Sequence, residues 1–189
     1  MTNLADNWLP RHRLTVEEFH RMGETGILRP DACVELIEGE IIDMAPIGSP
    51  HASAVARLAQ LFVQALGSTA VVWIQNPIVL GDYSEPQPDL ILLRPRDDFY
   101  RHALPRPADA LLVVEVSDTS LRFDREVKLP LYARSNIPET WIVDLEHRVL
   151  MVYRNPADAG YRDIRTLVDP RAAAPTLLQA CVLDLSDIF

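Results

Sequence analysis

The chain has 189 residues and a mass of 21.3 kDa, with 48% hydrophobic residues, 24% charged residues and a net charge of −9. That is one domain's worth of chain, large enough to bury a core without staples, and too apolar to be disordered. The acidic balance excludes nucleic-acid binding through a broad basic face, and no apolar run approaches the ~18 residues of a membrane helix.

Residues 1–13 read as a tail without the apolar centre of a secretory leader, and residues 14–189 as a single domain, so a soluble cytoplasmic protein is expected. Thr15-Val-Glu-Glu18 is a capping box and predicts a short helix to about Met22. Residues 34–37 and 41–44 are β-type runs on either side of Glu38-Gly39 and predict a hairpin, followed by a loop at 46–50. In residues 51–66, Val55, Leu58, Leu61, Phe62, Ala65 and Leu66 recur at helical spacing, with Ser49 or Ser53 as the cap and Gly67 at the end. Residues 70–80 read as one long strand bent near Asn76-Pro77, and 81–88 as a turn-rich loop. Residues 89–93 and 111–116 are apolar and read as buried strands. Helical spacing returns at 121–134, where Pro130 requires a late start or a kink. Residues 139–145 and 148–154 predict a second hairpin through Glu146-His147, and the chain from Gly160 onward one or two short strands. This order specifies an α/β protein with a mixed sheet. No GxGxxG or Walker-type loop is present, and Cys33 and Cys181 stand too far apart in sequence to suggest a zinc motif.

Two acids sit where acids are costly. Asp89 heads the apolar run Asp-Leu-Ile-Leu-Leu93, and Glu115 is embedded in Leu-Leu-Val-Val-Glu-Val116. Either alone reads as a structural group, Asp89 as a strand-start hydrogen-bonding residue and Glu115 as half of a salt bridge. If the two strands pair, both carboxylates reach one end of the sheet, as oxygen ligands suited to Mg²⁺ or Mn²⁺. Ser117, two residues after Glu115, points to the same face. Composition adds a third signal: the 18 basic residues are 17 Arg and a single Lys, Lys128. Lys is a compact point charge where Arg is a planar fork, and Lys128 lies on the next helix, within range of the same sheet end. Two hard-metal ligands with a lysine beside them form a constellation for phosphodiester hydrolysis.

The run Val34-Glu-Leu-Ile-Glu-Gly-Glu-Ile41, the step Gln87-Pro-Asp-Leu90, Val113-Val-Glu-Val-Ser117, the stretch from Asp124 to Lys128 leading into Leu131-Tyr-Ala, and Ile137-Pro-Glu-Thr-Trp-Ile-Val-Asp144 resemble the Uma2 family of restriction-endonuclease-like proteins in the PD-(D/E)xK nuclease superfamily. The resemblance covers about residues 15–153. It implies a restriction-endonuclease-like αβββαβ core with a mixed central sheet, preceded here by the N-terminal helix and hairpin. It maps Pro88-Asp89 onto the PD step and Glu115 onto the acidic position of the second half-motif. That half-motif carries lysine where this chain has Ser117, so Lys128 is read as a migrated lysine. The implied activity is a Mg²⁺-dependent (or Mn²⁺-dependent) endonuclease acting on DNA, with Asp89, Glu115 and the Val116 carbonyl at the metal.

Around this set, Glu35 either adds a carboxylate to the site or sits on the outer face of the hairpin. His51 either lines the cleft or makes a capping contact. Gln87 contacts substrate or extends its loop, and Asp124 bonds Ser117 or Lys128 or caps the helix. Glu38 and Glu40 read as turn and surface acids, Tyr132 and Trp141 as core. Residues 94–106 and 121–134 each carry a net charge of +2 and are expected to flank the cleft and take DNA phosphates. A homodimer is expected, with the hairpins near Val34 and Glu146 as pairing edges. Two rival readings remain: a nuclease-fold binding or regulatory module without turnover, and a metal-dependent hydrolase of a smaller phosphate ester.

Overall fold

The computed structural model describes residues 11–189; the first ten residues of the expected tail lie outside the described residues. Helix α1 (Val16–Glu24) starts at Thr15 with both halves of the capping box formed. Strands β1 (Val34–Ile37) and β2 (Glu40–Asp43) pair antiparallel about Glu38 and Gly39, whose φ values are +51° and +85°. Left-handed backbone at both turn positions matches the twist of a two-residue hairpin. Gly39 is also required sterically, because a Cβ there would stand 2.6 Å from Arg13 Cβ.

Helix α2 (Ser49–Leu66) takes Gly48 as its N-cap, with Pro50 in the first turn, in place of the expected serine cap. Strand β3 (Val71–Ile74) is shorter than the apolar run that encodes it. The chain leaves the sheet at Gln75, where φ turns to +47°, and Pro77 has no N–H for a ladder. Ile78 and Val79 instead donate their N–H groups to the Pro86 and Pro105 carbonyls.

Strands β4 (Leu90–Leu93) and β5 (Ala110–Ser117) follow. The next helical stretch has three parts: α3 (Leu121–Phe123), a π-helical turn (Asp124–Lys128) and α4 (Leu129–Arg134). The Leu129 N–H donates to the Asp124 carbonyl, five residues back. This widened turn resolves the Pro130 conflict, since proline in an α-helix clashes with the carbonyl four residues before it. Strands β6 (Glu139–Asp144), β7 (Val149–Ala157) and β8 (Gly160–Val168) complete the sheet, the last two longer than their sequence patterns indicated.

The six strands run in the order β3-β4-β5-β6-β7-β8, all antiparallel except the parallel pair β5–β6. Helix α2, strands β3 to β5, the α3–α4 segment and β6 are the expected αβββαβ core with its mixed sheet. The Glu146 hairpin is a correction: β6 and β7 are each paired on both sides, so it offers no free edge.

Strand alternation sorts the core into two layers. Leu90, Leu92, Leu112, Val114 and Val116 face α2, packing against Leu58 and Phe62. Ile91, Leu93 and Val113 face the other way, toward Tyr132, Ala133 and Ile137. Glu115, between Val114 and Val116, is therefore turned toward the helix that carries Lys128. Phe62 is fully buried and meets the Trp141 ring at a centroid distance of 6.1 Å. Phe62→Ala is expected to cost about 3–5 kcal/mol, read as a lower urea midpoint with an unchanged m-value.

Candidate functional site

The pairing of β4 with β5 sets Leu90 opposite Val114, so the register brings Asp89 opposite Glu115 at the same end of the sheet. The Asp89 N–H approaches Glu115 Oε2 at 3.4 Å, and the Val116 N–H donates to Asp89 Oδ2 at 2.9 Å. The two carboxylates are thus positioned by neighbouring strand backbone. Glu115 is enclosed, at 3% exposure, whereas the Asp89 side chain keeps 14%.

Lys128 completes the group from the helical side. Its ammonium lies 3.4 Å from Glu115 Oε1 and 3.2 Å from Glu35 Oε2. Glu35 comes from β1 and is 2% exposed, so the hairpin acid belongs to the interior cluster and not to an outer face. It also accepts the Gln87 N–H at 3.1 Å. Tyr132, one turn after Lys128, donates its hydroxyl to Glu115 Oε1 at 2.5 Å. Asp124, at the start of the π turn, accepts from Ser117 Oγ at 2.7 Å and Ser120 Oγ at 2.6 Å. Ser117, at the motif's lysine position, is therefore tied to the helix that supplies the lysine.

Two side chains fix Asp89. His51 Nε2, in the first turn of α2, is 3.0 Å from Asp89 Oδ2, and Gln75 Nε2 donates to Oδ1 at 3.3 Å. Gln87 Nε2 in turn donates to the Gln75 backbone carbonyl, at 2.8 Å. His51 Nδ1 is buried without a hydrogen-bond partner. Among the described residues, no group of three or more His, Cys, Asp or Glu side chains is arranged to hold a metal ion. What the strands present is a pair of carboxylates.

Burial governs the charges. It pushes the Glu115 carboxyl up to about 8, against the pull of the Lys128 ammonium and with Asp124 and Asp89 adding to it. Burial opposes the Lys128 ammonium too, but Glu115, Glu35 and Asp124 outweigh it and hold its pKa above the ordinary lysine value. Asp124 is raised by burial despite its two serine donors. The His51 pKa is raised by its bond to Asp89, with burial acting against and Asp118 and Asp124 adding to the rise. Lys128 is thus a fixed cation, and Glu115 is a carboxyl that burial keeps protonated well above the usual carboxylate range.

Of the residues singled out from sequence, Asp89, Glu115, Lys128, Glu35, His51, Gln87, Ser117, Asp124 and Val116 all meet in this one neighbourhood. Glu38 and Glu40 are exposed, pairing with Arg134 and Arg11. The basic segments do not both flank it. Residues 94–106 leave β4 at Leu93, the opposite end from Asp89, and Arg96 there is held by Asp98 and stacked on Tyr100. Only residues 121–134 adjoin the carboxylates. Tyr132 and Gln75 were missed. A buried tyrosine hydroxyl needs a partner, and the four-residue spacing from Lys128 puts both on one helical face, which was a usable signal; Gln75 carries none.

Glu115 gives the site a pH signature. Its folded pKa, about 8, lies above the ordinary 4.5, so the folded state holds the extra proton between those values. The stability it contributes is complete below 4.5 and is lost as pH rises through about 8. In the metal-free protein, Glu115→Gln is expected to gain thermal stability relative to wild type by roughly 10 °C between pH 5 and pH 9, measured as paired melting curves.

Known proteins share this fold. A solved structure of a putative nuclease belonging to DUF820 from Anabaena variabilis ATCC 29413 is similar, with a TM-score of 0.71 and 16% sequence identity over 93% of this chain and 97% of that one. No curated protein matches. The Uma2 family, described as "Putative restriction endonuclease", matches residues 16–186, and the chain belongs to that restriction-endonuclease-like family.

Proposed function

We propose that the protein is a metal-dependent endonuclease that hydrolyses DNA phosphodiester bonds at the Asp89–Glu115 pair. The observation that carries this reading is the meeting of those two carboxylates at adjacent strand ends with the chain's single lysine 3.4 Å from one of them. The donor chemistry fits Mg²⁺ or Mn²⁺. Mg²⁺ keeps several waters and takes one or two carboxylates plus substrate phosphate, so a two-carboxylate site without a third acidic or imidazole ligand is compatible with it. Asp89 and Glu115 would hold the ion, with the Val116 carbonyl as a further oxygen. Bound there, the ion supplies positive charge to the phosphate and a water of lowered pKa.

The chain's own groups do the rest. His51 and Gln75 hold the Asp89 carboxylate in place, and Tyr132 holds that of Glu115. Lys128 stays protonated, so it serves as a fixed positive charge for the developing phosphorane and not as a base. Glu35 orients the Lys128 ammonium. Arg122 and Arg125 stand exposed on the helical segment that carries Lys128 and offer contacts to the DNA backbone.

Ser117 in the motif's lysine position, together with the net charge of −9, favours a second reading, in which the same fold binds a partner without turnover. Calorimetric titration of Mn²⁺ and cleavage of supercoiled DNA separate the two. Wild type is expected to bind the ion, more tightly as pH rises toward 8 because Glu115 must lose its proton, and to cut. Asp89→Ala is expected to lose both properties with its circular dichroism unchanged. Lys128→Ala strips a buried cation from Glu35 and Glu115, so its fold is checked by circular dichroism; folded, it is expected to keep the ion and cut about 10²–10³-fold more slowly. Cleavage by neither ion, with DNA still bound, would leave the binding module.

A further inference from the structure

Strand β8 ends the sheet. It pairs with β7 along its length, and among the described residues no backbone group pairs with its other side. The opposite edge, β3, is four residues long, whereas β8 has nine. An edge of that length is a template for another strand, and proteins that avoid such pairing blunt it with proline, a bulge or unmatched charged side chains, lysine above all; the charges of β8 therefore matter only through the partner they meet. Gly160-Tyr-Arg-Asp-Ile-Arg-Thr-Leu-Val168 contains neither proline nor lysine, and Ile164 and Val168 are 60% and 76% exposed.

We propose that β8 pairs antiparallel with the β8 of a second copy, about a two-fold axis at Ile164, joining two six-stranded sheets into one. The argument is the charge pattern. A two-fold axis perpendicular to the sheet keeps every side chain on its own face, so it must pass through one residue and its symmetry mate. An axis at Arg162 or Arg165 sets guanidinium against guanidinium, and an axis at Asp163 sets carboxylate against carboxylate. An axis at Thr166 leaves Arg165 opposite Leu167 and shortens the overlap. An axis at Ile164 is the centre of the strand. All nine residues then overlap, Ile164 meets its mate, and Asp163 of each copy lies opposite Arg165 of the other. These two residues already form an ion pair within the strand, at 3.2 Å, so both charges are displayed on one face. Opposite charges directly across a ladder stabilise it and like charges oppose it.

Charge exchange tests the register. Sedimentation velocity on the full chain, over a range of concentrations, should show a species of twice the 21.3 kDa chain mass. Asp163→Arg alone and Arg165→Asp alone each place like charges across the axis and should weaken association at least tenfold. The double variant D163R/R165D should restore it. So should an equimolar mixture of the two single variants, in which one strand carries two arginines and the other two aspartates. Melting curves establish that each variant is folded. A wild type that is monomeric throughout, single variants that associate like wild type, or a double variant and a mixture that both stay apart would each overturn the proposal. The readout is association and not cleavage, so it stands apart from the nuclease reading.

Discussion

The structure depends on one buried ammonium. Lys128 lies between Glu35 and Glu115, all three nearly sealed from solvent, and each acid belongs to a different part of the fold. Glu35 is on the small hairpin sheet, Glu115 on the central sheet, Lys128 on the connecting helix. Removing a charged partner from such a group leaves an uncompensated buried charge, which is strongly unfavourable. The ion group therefore holds the hairpin against the main sheet and holds the crossover helix down over both. Two acids share one lysine, and burial answers the surplus by keeping a proton on Glu115 up to about pH 8. The site is thus poised between a protonated, neutral arrangement and an ionised one that a divalent cation would favour.

Much of the fold was readable from apolar spacing, because α2 is a long periodic run and β4 and most of β5 are apolar runs with clear boundaries. The failures were local. Residues 70–80 look like one strand because the apolar side chains continue past Ile74, but the backbone turns left-handed at Gln75 and the later residues cover the other face of the sheet. Pro130 pointed to a late helix start or a kink. It does stand in the first turn of α4, but the chain also widens the turn before it by one residue, which no side-chain periodicity reveals.

The candidate site was readable where charge contradicts its surroundings. Asp89 and Glu115 stand out against apolar strands, and Lys128 stands out against a chain that otherwise uses arginine. Glu35 was ambiguous for a physical reason: a four-residue strand in a two-stranded hairpin has no inner face until something packs on it. Gln75 was invisible for a related one. It acts through Asp89, 14 residues on in the chain, and nothing adjacent to it signals the contact. The basic segment at 94–106 misled because sequence proximity to β4 does not say at which end of the strand it emerges.

The place of Lys128 in the chain also governs how its buried ion group comes into being. With lysine two positions after Glu115, acid and cation would arrive together on one strand as soon as the sheet formed. Here the cation comes from a separate helical segment, held in register by the widened turn and by Ser117 bonding to Asp124. A chain whose sheet has formed but whose crossover has not docked carries the acids without their cation. The charge balance of the group is therefore completed by tertiary docking of the crossover and not by the sheet alone.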